Sequence, residues 1–196
     1  MNRKYLVLPA VLLVAAAVVA AIQLWPSPLK DLRAKNLCLG MLTEETAGLL
    51  HDRKGGKLVV DEFQPGKDDK DSKDKRTDPV FSTTCFVGRE TDKGNNFRGQ
   101  YSLDVQSTNT LNEPLKGAGP FTDGGSGWVS PRQSEVQLPA SCPKKMRTTD
   151  EYVTIVLKVA PGVVVAKDWD DAALIEASRP IVQEAVANLT KQYECG

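Results

Sequence analysis

The chain has 196 residues, with 25 basic and 25 acidic side chains and a formal net charge of zero. That balance gives a polyanion no general attraction, which argues against nucleic acid as a partner. The length suits one domain able to bury its own core.

Leu6 to Leu24 is an uncharged run of nineteen residues, eleven of them Leu, Ile or Val. As a helix at about 1.5 Å per residue it reaches roughly 28 Å, close to the hydrocarbon thickness of a bilayer. Trp25 follows at interfacial depth, and Pro26 and Pro28 end the helix because neither offers an N–H. Residues 1–25 are therefore expected to be a signal-anchor, a single N-terminal transmembrane helix that places the chain in the lipid bilayer. A cleavable secretory leader is the rival: Asn2-Arg3-Lys4 would be its charged start and Val19-Ala20-Ala21 its cleavage site, although the apolar run exceeds the usual 7–15 residues. Basic residues flank the run on both sides, so charge barely sets its orientation.

Residues 26–35 read as a polar stalk, and the folded domain is expected over 36–196. Thr43 caps a helix reaching about His51, with Glu44 and Glu45 in its first turn and Lys54-Gly55-Gly56 after its end. Lys57 to Phe63 is a Val-rich strand. Residues 64–79 form a flexible charged loop: between Lys67 and Asp78 there is no apolar side chain to offset the entropy of ordering. Asp68, Asp69, Asp71 and Asp74 there are interleaved with lysines and lack the glycine and terminal glutamate of a calcium loop.

Val80–Glu90 and Phe97–Ser107 read as two strands joined by the turn 91–96. In the second, Phe97, Tyr101, Leu103 and Val105 share one face, and Arg98, Gln100, Ser102, Asp104 and Gln106 the other, the alternation of an antiparallel sheet with one wet side. Asn109 to Pro131, rich in glycine and proline, reads as loop, with Trp128 and Val129 tucked back onto the core. Glu135–Leu138 is expected as a brief edge strand. Tyr152–Ala160 is the clearest strand, and a helix opens at Asp170-Asp171. Its apolar positions run from Leu174 through Ile181, Val182, Ala185, Val186 and Leu189 to Tyr193 at helical spacing. Pro180 either kinks that helix or starts its second half.

The four cysteines, Cys38, Cys85, Cys142 and Cys195, lack the CxxC spacing of a zinc or redox motif. Behind a secretion or anchor segment they read as structural disulfides of an oxidising compartment, which puts the domain outside the cytoplasm. Three pairings are open; Cys38–Cys85 with Cys142–Cys195 is the favoured one. Four free thiols in a cytosolic domain is the alternative.

Catalytic signals are thin. The single histidine, His51, stands beside Asp52, and Ser126 in GGSGW lacks the second glycine of a nucleophile elbow, where Trp128 stands. The glycines at 117–127 lack the lysine of a phosphate loop. No catalytic, cofactor-binding or metal residues are assigned and no cofactor is expected. Asn188-Leu189-Thr190 matches a glycosylation acceptor but falls inside the expected helix.

The segments CLGMLTEETAGLL, STTCFVGRE and FRGQYSLDVQS resemble a pattern in uncharacterised actinobacterial secreted lipoproteins, in which a cysteine precedes a Thr-capped helix and a second sits in a strand. LPASC and RPIVQEAVANLTKQYEC are similar to segments of uncharacterised streptomycete membrane proteins. The chain departs from the lipoproteins in having no cysteine directly after the anchor. The resemblance implies extracytoplasmic placement and an α+β fold, and transfers no catalytic residue.

The expectation is thus an α+β domain, a mainly antiparallel sheet with helices packed on one face, disulfide-linked and held at the cell membrane by a single pass, or secreted if the leader is cut. Its expected function is a non-catalytic binding or interaction module for a cell-envelope protein or ligand. The alternative is a cell-envelope hydrolase using His51 with Ser126 or a carboxylate.

Overall fold

A computed structural model describes residues 36–63, 83–90, 97–163 and 170–196. The expected anchor, the stalk, the charged loop 64–79 and the turn 91–96 lie outside them. Among the described residues no helix is long and apolar enough to cross a membrane.

Seven strands form one sheet: β1 (Leu58–Phe63), β2 (Thr83–Glu90), β3 (Phe97–Thr108), β4 (Gly119–Phe121), β5 (Ser126–Val129), β6 (Gln133–Gln137) and β7 (Tyr152–Val159). Their order is β1-β2-β3-β7-β6-β5-β4, and every ladder is antiparallel. Two meanders therefore meet at the β3–β7 ladder, where Tyr101 to Thr108 pair with Val159 to Tyr152. With two short helices, α1 (Glu44–Ala47) and α2 (Cys142–Lys145), and one long one, α3 (Asp171–Tyr193), the architecture is α+β.

Alternation sorts the side chains onto two faces. Cys85 and Val87, Leu103 and Val105, Ile155 and Leu157, and Val136 point to one face and are fully buried. Against them lie Leu174, Ile181, Val182, Ala185, Val186 and Leu189 of α3, all buried at the expected helical spacing. α3 is 23 residues long, about 34 Å. Asp170 caps it, its carboxylate accepting from the Ala172 N–H at 2.9 Å. The helix runs unbroken through Pro180, whose missing N–H falls on the exposed side, so it neither splits nor restarts there. It ends with Glu194 in the left-handed conformation and the Cys195 N–H on the Thr190 carbonyl, which turns Cys195 inward.

Both disulfides form in the favoured pairing, Cys38–Cys85 and Cys142–Cys195, and none of the described cysteines is free. The first fastens the 37–42 hairpin to β2. The second ties the end of α3 to α2, on the β6–β7 connection.

Four expectations are corrected. The first helix is a single turn: Thr43 caps it as expected, its hydroxyl accepting from the Thr46 N–H, but Gly48 closes it at once and Leu49 is exposed. The stretch Asn109–Pro131 contains two strands, β4 and β5. The strand predicted at Glu135–Leu138 spans Gln133–Gln137 and is interior, between β5 and β7; β4 and β1 are the edges. Finally, Phe97 does not share a face with Tyr101. A bulge leaves Gln100 without a partner, since Val87 pairs with Tyr101 but Gly88 with Gly99. The extra residue buries Gln100 and turns Phe97 over.

Candidate functional site

The second face of the sheet has no helix upon it among the described residues. At its β1–β2–β3 end Phe63, Phe86 and Phe97 are 59%, 40% and 46% exposed. Phe63 pairs with Thr84, one step along that face from Phe86, and the Phe97 ring fills the space a side chain at Gly88 would take. The result is an aromatic surface on a strand that would otherwise be wet.

At the β5–β6 end the 109–118 loop folds over the same face. Trp128 on β5 stands directly opposite Glu135 on β6. Asn112 joins them: its N–H donates to Glu135 Oε1 at 3.2 Å, its side-chain amide to Oε2 at 2.5 Å, and its carbonyl accepts from Trp128 Nε1 at 3.4 Å. Under this bridge is a cavity of about 190 Å³ lined by Leu111, Pro114, Ser126, Trp128, Glu135 and Gln137. Ser126 donates to Gln137 Oε1 at 3.3 Å on its wall.

Glu135 decides the chemistry of this hollow. It is 3% exposed, both donors it meets are neutral, and no lysine, arginine or histidine nitrogen lies within 4.0 Å of it among the described residues. Burying a carboxylate without a countercharge costs several kcal/mol, part of which the two Asn112 bonds return. A second hollow, about 620 Å³ along α3 beside Val186 and Ala187, has the exposed Asp123 at its edge as its one charged side chain.

The structure separates His51 from Ser126. His51 belongs to the segment that Arg98 and Arg89 hold at one end of the sheet: Asp52 pairs with Arg98 at 3.2 Å, and the two guanidinium groups donate to the Gly55 and Gly56 carbonyls. Its Nδ1 accepts from the Arg53 N–H at 3.2 Å. Ser126 lies in the row Gln137–Thr154–Gln106, eight residues along β3 from Arg98, or about 26 Å. It is also three strand spacings away, about 14 Å. The two side chains occupy opposite corners of the sheet, too far apart for proton transfer. Asn188 is likewise engaged, donating to the Met41 carbonyl at 2.9 Å from within α3.

Sequence reasoning singled out Ser126 and Trp128 but not Glu135 or Asn112. The signal for Glu135 is its place opposite Trp128 across a ladder, which requires the register. Among the described residues no group of three potential metal ligands is brought together. No protein-family model, curated protein or solved structure matches this chain.

Proposed function

We propose that this protein is a membrane-anchored extracytoplasmic binding module whose contact surface is the face of the sheet opposite α3. The observation that carries the proposal is the cavity beside Trp128, with a buried carboxylate that has no countercharge among the described residues and a flanking loop that presents exposed Leu111 and Leu115. The wide separation of His51 from Ser126 supports binding without turnover. The two disulfides support an oxidising compartment, and the nineteen-residue apolar run supports anchorage in the bilayer.

Two measurements test this. Protease added outside intact producing cells should digest the domain and leave a membrane-bound fragment; protection until lysis refutes the placement. A benzoylphenylalanine photocrosslinker at position 115 should give a discrete adduct in those cells that the same group at position 191, on the exposed side of α3, does not. Identical patterns from both positions, or none from position 115, refute the choice of surface.

A further inference from the structure

The cavity beside Trp128 already has one half of an ion pair. The geometry points to an organic cation as its ligand, an alkylammonium or guanidinium group seated between the Glu135 carboxylate and the Trp128 indole. This rests on the binding role proposed above and specifies the chemistry of the same site.

Three features converge. First, each Glu135 oxygen accepts one bond from Asn112, while a carboxylate has about four acceptor positions, so acceptor capacity remains on both oxygens. Second, the charge is unbalanced: among the described residues no cationic nitrogen lies within 4.0 Å of Glu135, and Lys158 on the same face is paired with Asp104. A cation entering the cavity would supply the countercharge where water is scarce and the attraction least screened. Third, the walls are apolar and aromatic. Leu111 and Pro114 take the carbon stem of such a ligand, and the indole of Trp128 is the best of the aromatic partners for a cation.

A hard metal ion fits the same walls poorly. Calcium takes six to eight oxygens, and besides Glu135 the side chains of the lining offer the Ser126 hydroxyl, which is bonded to Gln137, and the neutral amides of Asn112 and Gln137, a single carboxylate in all. Anions are opposed by the carboxylate itself. Of the charged residues on the covering loop, Glu113 adds to the negative field and Lys116 opposes it; both are exposed and solvated.

The test follows the three tryptophan indole N–H signals of the full chain in lipid nanodiscs, with Trp128→Phe identifying the one that belongs to position 128. The probes are n-butylammonium, N-acetylarginine methylamide in free form and within a short neutral peptide, n-pentanol as a neutral isostere, and calcium chloride. Either cation should shift the Trp128 signal saturably, at least tenfold more tightly than n-pentanol, and Glu135→Gln should weaken that binding tenfold or more. Tighter binding of the peptide than of the free amide would mark a cationic side chain of a protein as the source; equal binding would mark a small molecule. The comparison of cation with isostere is made on the unaltered chain, so it stands even where the Glu135 variant fails to fold. Equal binding of n-pentanol, or a saturable response to calcium alone, overturns the cation while leaving the binding role in place. Silence to every probe overturns it too; silence together with no adduct from position 115 removes the binding role as well.

Discussion

Reducing the two disulfides separately and together should expose how much of the stability of the fold is covalent. Cys38–Cys85 spans 47 residues and Cys142–Cys195 spans 53. On the chain-entropy model each closure is worth about 4 kcal/mol, and the two differ by only about 0.1 kcal/mol because the dependence on length is logarithmic. The loops do not overlap in sequence, so constraining one leaves the freedom of the other untouched and the losses should add. Removing both then costs about 8 kcal/mol, within the 5–15 kcal/mol that a domain has in total. Urea unfolding of Cys38→Ala/Cys85→Ala and of Cys142→Ala/Cys195→Ala should show similar midpoint shifts, about 2 M each for a slope near 2 kcal/mol/M. The quadruple variant should be largely unfolded without denaturant, or nearly so. A midpoint unmoved by reduction would refute both the entropy argument and the dependence of this fold on an oxidising compartment.

Other groups make sharper, smaller predictions. Burial, and secondarily the Glu184 carboxylate, raise the Tyr101 phenol far above its ordinary range, so the folded state keeps its proton where the unfolded chain loses it. Stability from this group is complete below about pH 10 and falls by about 1.4 kcal/mol per unit above it. Tyr101→Phe removes the bond to the Ala47 carbonyl, at about 1 kcal/mol near neutrality, and the gap between variant and parent should close near pH 11 in urea titrations; a gap constant to pH 11 contradicts the assignment. Gly127→Ala would place a methyl 2.1 Å from the Glu135 carbonyl oxygen, so it should cost about 2–3 kcal/mol or prevent folding; a thermal midpoint within a degree of the parent would show that β5 can move away from β6. Asp170→Ala should lower stability by about 1 kcal/mol and the melting point by about 2–4 °C, whereas Asp170→Asn should be nearly neutral; equal effects of the two would mean the side-chain cap is not what counts.

Legibility in the sequence tracked how local each determinant is. β3 announces itself because Tyr101, Leu103 and Val105 alternate with polar residues, β7 because YVTIVLKV is a β-branched apolar run, and α3 because its apolar positions keep helical spacing across Pro180. The disulfide pairing was one of three that the sequence left open, and the structure forms the favoured one. β4 and β5 were hidden because glycine reads as a break, whereas at Gly125 and Gly127 it permits close approach to the carbonyls of β6: an added Cβ would sit 2.5 and 2.1 Å from Gln137 and Glu135 oxygens. Glu135–Leu138, short and next to Pro139, reads as an edge strand, yet β6 lies inside the sheet and buries Ser134 and Glu135. The bulge at Gln100 has no signature within β3, because it depends on the β2 register. For the same reason the site stayed unread: Glu135 gains meaning only from Trp128 across a ladder and from Asn112, 23 residues upstream.

The position of the covalent links bears on which surface is left to act. Cys85 points to the helix-covered face, and Cys195 lies just past the end of the helix that covers it. On the same side three residues of α3, one turn apart, reach the hairpin that Cys38 fastens to β2. Glu184 accepts from the Thr43 N–H and hydroxyl, Asn188 donates to the Met41 carbonyl, and Gln192 to the Leu39 carbonyl. The C-terminal half of α3 is thus held by polar bonds and its end by a disulfide, which leaves that face little freedom to rearrange around a partner. The opposite face is held differently. Its cavity is bordered by a loop whose residues 111–117 are exposed, held to the sheet by the Asn112 bridge to Glu135 and at its start by Asn109, which donates to Asp150 and accepts from the Glu151 N–H. The cross-linked side thus has fewer exposed, lightly held segments than the loop on the opposite face, where local opening costs least. Asn112→Ala should accordingly lower the unfolding free energy by about 1.5–3 kcal/mol, the cost of removing a side-chain bond to the buried Glu135 carboxylate, while increasing amide hydrogen exchange across 109–118; protection unchanged there would show that the contacts of Asn109 suffice to hold the loop.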